Sequence, residues 1–312
     1  MVSDSKFAFL FPGQGSQAVG MGRSFYDASP AARAVFEEAN DALGFDLAKL
    51  VFSGPAAELA LTANTQPAVL TASVAAATIC AERGLVPALA AGHSLGEYSA
   101  LVVAGALRFA DALKLVRKRG QFMQEAVPVG TGAMAAIMGL DLDAVDALCR
   151  EAAQGEVLEV ANVNSAGQTV VAGHRTAVER AVALAGKKSV LLPVSAPFHC
   201  ALMAPAATRL GAELGAVPTT DPSFPVVRNA DAGVTRTAAD VKPFLLKQVA
   251  SPVRWTECVQ RLEAEGATVF IEVGPGRVLT GLLRRIVDGA RAHNVEDMVS
   301  LDKTVAALGA PA

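Results

Sequence analysis

The chain has 312 residues, 52% of them hydrophobic and 18% charged, and a net charge of −3. Such a chain buries a core and is not disordered, its charge leaves no nucleic-acid footprint, and its length suggests one large domain plus a smaller one. Its four cysteines, Cys80, Cys149, Cys200 and Cys258, stand far apart without a Cys-x-x-Cys pair, so neither a metal site nor a disulfide framework is expected.

The N-terminus carries one lysine and an apolar run too short for a signal peptide, which points to a cytoplasmic protein. Residues 6–11, KFAFLF, read as a strand closed by Pro12-Gly13. The glycine-rich loop that follows, GQGSQAVGMG, fits a dinucleotide fingerprint of the form Gly-x-Gly-x-x-Ala. Gly20 and Gly22 keep it open where the fingerprint needs a helix already begun, so a polar loop beside another site is the preferred reading. Helical patterns cover about 24–43 and 67–83, the second with Pro67 in its first turn.

Residues 86–106 form the most informative stretch. An apolar run ends in Gly92-His93-Ser94-Leu95-Gly96, and a helical pattern begins at once. Pro87, His93, Ser94 and Glu97 interrupt the stretch, which argues against a membrane span. Strand, Gly-x-Ser-x-Gly turn and helix are the context of a nucleophile elbow, in which Ser94 projects from a sharp turn and the Leu95 N–H faces a developing oxyanion.

A helix over about 110–126 places Ala112, Leu115, Val116, Phe122, Met123 and Ala126 on one face, with Arg119 in their midst. An inward guanidinium needs acceptors: either an internal salt bridge or the carboxylate or phosphate of a ligand. From about 128 to 197 the rhythm is β-α-β-β-α-β, the ferredoxin-like order. We therefore expect an inserted ferredoxin-like domain at 128–197 within a discontinuous large α/β domain of 1–127 and 198–312. The remainder reads as a helix at about 201–215, a strand at 225–230, helices over 240–262 broken at Ser251-Pro252, a buried strand at 267–273, and a loosely held tail from about 300.

A serine needs a base. His93 adjoins Ser94 and points to the opposite face of the strand, where it shapes the elbow. His174 opens a helix in polar surroundings and is expected to face water, and His293 lies near the polar tail. His199 remains, where the chain crosses back to the large domain. No acid between Ser94 and His199 stands in a clear post-strand loop, so a backbone carbonyl or an amide is expected to orient the histidine, making a dyad.

FPGQGSQ at 11–17, GHSLGEYSAL at 92–101, RGQFMQEAVP at 119–128, PFHC at 197–200, QVASPVRW at 248–255 and EVGPGRVLTGL at 272–282 together resemble the malonyl-CoA:acyl carrier protein transacylase family. The resemblance implies an α/β-hydrolase-like large domain with a mostly parallel sheet and a ferredoxin-like insertion. It implies that Ser94 is acylated with His199 as its partner, that Arg119 binds the malonyl carboxylate, and that Gln14 joins Leu95 in the oxyanion pocket. Gln248 then lies in the segment whose backbone carbonyl orients the histidine, and Phe198 is of the malonyl-selective type. The implied activity moves malonyl from malonyl-CoA to the phosphopantetheine thiol of holo acyl carrier protein by a ping-pong route that needs no metal or redox cofactor. Apart from the resemblance, neither nucleic acid nor membrane is expected as a partner, and a monomer supplying fatty-acid synthesis is the expected setting. The alternatives are a serine thioesterase or hydrolase on the same elbow, a discrete polyketide-synthase acyltransferase, and a nucleotide-binding or interaction domain. Lys114, Arg117 and Lys118 would offer an acidic carrier a basic face, or be a solvated helix face.

Overall fold

The computed structural model describes residues 6–194 and 196–309. Its first strand, β1 (Phe7–Phe11), is buried throughout, as a strand covered on both faces must be. The single helix expected over 24–43 is two, α1 (Arg23–Ala28) and α2 (Pro30–Leu43). The break falls where the Ser29 hydroxyl caps α2 by accepting from the Ala31 and Ala32 N–H groups, and Pro30 takes the first helical position.

Two short helices that the sequence pattern did not mark, α3 (Leu47–Ser53) and α4 (Ala56–Leu59), lead into α5 (Thr62–Glu82). Pro67 is inside α5 rather than in its first turn. Burial on nearly every side outweighs the ladder bond lost there, because α7 (Phe109–Glu125) packs its Gly120 against the start of α5; a Cβ on Gly120 would stand 2.6 Å from the Thr62 carbonyl oxygen. Between these helices run β2 (Leu89–Gly92) and α6 (Leu95–Val103).

The ferredoxin-like order follows as read: β3 (Gly132–Met138), α8 (Leu142–Ala153), β4 (Leu158–Ser165), β5 (Gln168–His174), α9 (Arg175–Ala185) and β6 (Ser189–Leu191). These strands form an antiparallel four-stranded sheet in the order β4-β5-β3-β6. His174 does not simply face water: it is half-buried at the start of α9, and its Nδ1 accepts from the Val157 N–H at 3.0 Å.

The chain then returns through α10 (Ala204–Ala216), β7 (Val226–Val227), β8 (Val234–Thr235), α11 (Ala238–Val249), α12 (Trp255–Ala264), β9 (Val269–Val273), α13 (Val278–Leu283), β10 (Arg291–Val295) and α14 (Met298–Leu308). His293 belongs to β10, an edge strand that the sequence pattern did not mark, and the tail from 300, expected to be loosely held, is instead a packed helix. Asp297 and Ser300 cap α14 reciprocally while Leu301, Val305 and Leu308 bury one face.

The large sheet has the order β10-β9-β1-β2-β7-β8, parallel except for β8. β1 is followed in the sheet by β2 on one side and by β9 on the other, so the carboxyl ends of these strands surround a topological switch point, where α/β sheets bind ligands. The small sheet docks beside that rim. Val163 donates to the Val253 carbonyl at 2.9 Å, and Val253 donates to that of Ala161 at 2.8 Å. All four cysteines are free and buried, and among the described residues no helix is long and apolar enough to cross a membrane.

Candidate active site

A cavity of about 440 Å³ opens at the switch point, lined among others by Gln14, Ser94, Leu95, Arg119, Phe198 and His199. Ser94 is the residue before α6, at φ 51° and ψ −101°. That turn exists only because its neighbours lack side chains: a Cβ on Gly92 would fall 1.8 Å from the Gly96 carbonyl carbon, and one on Gly96 would fall 2.0 Å from the Phe11 oxygen. Asn229, just past β7, clamps the strained turn. Its Oδ1 accepts from the Ser94 N–H at 2.7 Å and its Nδ2 donates to the Gly92 carbonyl at 2.8 Å.

The Ser94 Oγ lies 2.7 Å from His199 Nε2. His199 Nδ1 lies 3.0 Å from the Gln248 backbone carbonyl, which can only accept, so Nδ1 carries the proton and Nε2 is left as the lone pair facing the hydroxyl. The group that orients the histidine is thus a carbonyl rather than an acid. His199 is 4% exposed, and burial together with the nearby Arg119 charge pushes its pKa down to about 3, which keeps the ring neutral at ordinary pH.

Arg119 is 2% exposed and forms no salt bridge among the described residues. Three acceptors meet its terminal nitrogens, and its Nε is buried without a partner among the described residues: Nη1 donates to Gln66 Oε1 at 2.9 Å, and Nη2 donates to Gln248 Oε1 at 2.9 Å and to Ser94 Oγ at 3.0 Å. Its guanidinium also sits 5.4 Å from the centre of the Tyr98 ring. A cation hydrogen-bonded only to neutral groups and lining a cavity retains its attraction for an incoming anion.

Leu95 is the first residue of α6, and Gln14 is exposed in the loop after β1. Among the described residues neither backbone N–H has a hydrogen-bond partner, which leaves both available to an oxyanion. The Gln14 side chain donates to Thr62 Oγ1 at 3.3 Å. His93 turns away from the nucleophile: its Nε2 meets Asn164 Oδ1 at 2.9 Å and its ring leans on Trp255. Of the basic helix face, Lys118 pairs with Glu213 and Arg117 stacks on Phe45.

Sequence reasoning missed Gln66, Asn229 and Glu97 as parts of this site. Glu97 is 2% exposed and accepts on Oε2 from the Asn229 N–H at 2.9 Å and from Gln248 Nε2 at 2.8 Å. Burial pushes its pKa from 4.5 up to about 7, against the opposing influence of those hydrogen bonds and of Arg119 and Arg228. A folded-state pKa above the unfolded one gives stability that is full below 4.5 and is lost as pH rises through about 7. Glu97→Gln is therefore expected to raise the melting temperature, relative to the parent, more at pH 8 than at pH 5. Paired thermal melts check this, and an equal shift at both pH values would contradict it.

Residues 8–305 match the family described as Acyl transferase domain. The chain is 50% identical over 302 residues to the malonyl CoA-acyl carrier protein transacylase of Salmonella typhimurium, covering 95% of this chain and 98% of that one. Among solved structures it is similar to an acyl carrier protein S-malonyltransferase from Vibrio cholerae, with TM-score 0.93, 50% identity, and coverage of 96% of this chain and 100% of that one. It is also similar to a malonyl-transacylase in complex with a type II polyketide acyl-carrier protein, with TM-score 0.94, 48% identity, and coverage of 97% and 100%.

Proposed function

The chain belongs to the malonyl-CoA:acyl carrier protein transacylase family, and from that premise we propose that Ser94 carries the acyl group, His199 moves its proton and Arg119 holds the substrate carboxylate. The reaction is transfer of malonyl from malonyl-CoA to the phosphopantetheine thiol of acyl carrier protein. The observation that carries the assignment is one guanidinium, Arg119, buried without a carboxylate partner among the described residues and bonded to the same hydroxyl that meets His199.

The chemistry follows from these contacts. Ser94 Oγ attacks the thioester carbonyl while its proton passes to His199 Nε2, and the oxyanion is met by the N–H groups of Leu95 and Gln14. Collapse breaks the C–S bond, and the CoA sulfur leaves with the proton from His199. The carrier thiol then gives its proton to His199 and attacks the malonyl-serine ester. The C–O bond breaks and Ser94 recovers the proton. The Gln248 carbonyl keeps the imidazole in the tautomer that both halves require.

The test is to mix the protein with malonyl-CoA and a holo carrier protein. Malonyl-carrier is the expected product, and rapid release of free malonate without transfer would instead assign a hydrolase. We read the partner as the carrier of fatty-acid synthesis, in a cytoplasmic monomer. Similarity to a transacylase bound to a polyketide carrier makes a discrete polyketide system the alternative, and rates with the two carriers separate them. Phe198, at 9% exposure against the cavity, supports preference for malonyl over the branched methylmalonyl group.

A further inference from the structure

We infer that Glu97 is a positioning residue for malonyl selection: through the Gln248 side-chain amide, its carboxylate sets where the guanidinium of Arg119 stands beside Ser94. The inference rests on the reading of Arg119 as the carboxylate-binding residue.

Gln248 is fully buried, and its amide has one donating end and one accepting end. A carboxylate only accepts and a guanidinium only donates, so an amide between them has one orientation without a clash. Nε2 donates to Glu97 Oε2 at 2.8 Å and to the Ser94 carbonyl at 3.0 Å, which leaves Oε1 for Arg119 Nη2 at 2.9 Å. Turning the amide over would set NH2 against the guanidinium and C=O against the carboxylate. The Nη2 placed in this way is the nitrogen that reaches Ser94 Oγ, where a malonyl group would be attached.

A purely structural acceptor at this place need not be charged. Glu97 bonds no N–H of its own helix; its partners are Asn229, which clamps the elbow, and Gln248, which holds Arg119. In a Glu97→Gln variant the acceptor loses its charge, so the bond that anchors Gln248 Nε2 weakens from a charge-assisted to a neutral one; the Ser94 carbonyl and Arg119 still fix which way the amide faces, but the Gln248 side chain, and with it the guanidinium, is held less closely in position. A malonyl carboxylate would then meet a misplaced fork, whereas an acetyl group, with no carboxylate, would not sense the change.

The experiment is single-turnover acylation of Ser94 in the full chain at pH 8, followed by intact mass, with malonyl-CoA and with acetyl-CoA. The ratio of the two rates does not depend on the fraction of active enzyme. Glu97→Gln is expected to lower the malonyl-to-acetyl ratio by about tenfold, as coupling between bonded neighbours allows. Glu97→Asp, which keeps an acceptor-only group, is expected to stay within about threefold of the parent. An equal fall in both rates, or an unchanged ratio, overturns the inference. Should Glu97→Gln not fold, Gln248→Met cuts the same link: its ratio must fall, and an unchanged ratio overturns the inference as well. A parent enzyme without malonyl preference would sink the reading of Arg119 itself, whereas a preference that survives Glu97→Gln sinks only the role of Glu97.

Discussion

Ser94→Ala is expected to carry no malonyl adduct after exposure to malonyl-CoA and to lose transfer to the carrier by roughly 10⁶-fold, the scale seen when a nucleophilic serine is deleted from a unit of cooperating residues. The fold should survive. The turn is held by Gly92, Gly96 and the Asn229 clamp, none of which uses the hydroxyl, and Ala meets a φ of 51° with the same Cβ that Ser has. The variant loses the bonds from Ser94 Oγ to His199 and Arg119, a stability change of about 1 kcal/mol each. Arg119 keeps Gln66 and Gln248, and His199 keeps its carbonyl. A direct route from CoA to carrier within a ternary complex would predict the opposite, transfer that persists without Ser94. Intact-mass analysis and the transfer assay therefore decide between the two, and a stable adduct on the variant would refute the nucleophile.

Some of this site was open to the eye in the sequence, for physical reasons that differ residue by residue. Ser94 stands in a turn that needs glycine on both sides, and Arg119 breaks an apolar stripe, so local pattern exposes each of them. His199 emerges because only four histidines compete. The ferredoxin-like order was legible because its strands and helices alternate with clear periods. Asn229 and Glu97 were not, since one lies in the loop just past a two-residue strand and the other looked like a polar interruption of an apolar run; their roles come from contacts across more than a hundred residues of chain. β10 and α14 were missed because an edge strand tolerates polar residues and because the apolar positions Leu301, Val305 and Leu308 are interleaved with charge.

Arg119→Ala is expected to reverse substrate preference, with malonyl acylation of Ser94 falling about 10²-fold, the worth of two charge-assisted hydrogen bonds, while acetyl acylation falls far less or rises. Two opposing effects decide the acetyl arm. Removing the guanidinium takes a donor from Ser94 Oγ, which slows attack by disfavouring the developing alkoxide. It also removes the positive charge that, after burial, holds down the pKa of His199, so the imidazole accepts a proton more readily. For malonyl the substrate carboxylate already offsets that charge in the parent enzyme, so deletion relieves nothing and only the lost grip remains. For acetyl there is no such offset, and the relief of His199 is felt in full. Gln66 Oε1 and Gln248 Oε1 are left facing a space large enough for water, which limits the loss of stability. Single-turnover rates with malonyl-CoA and acetyl-CoA check the result, and an unchanged malonyl-over-acetyl ratio would remove Arg119 from substrate selection.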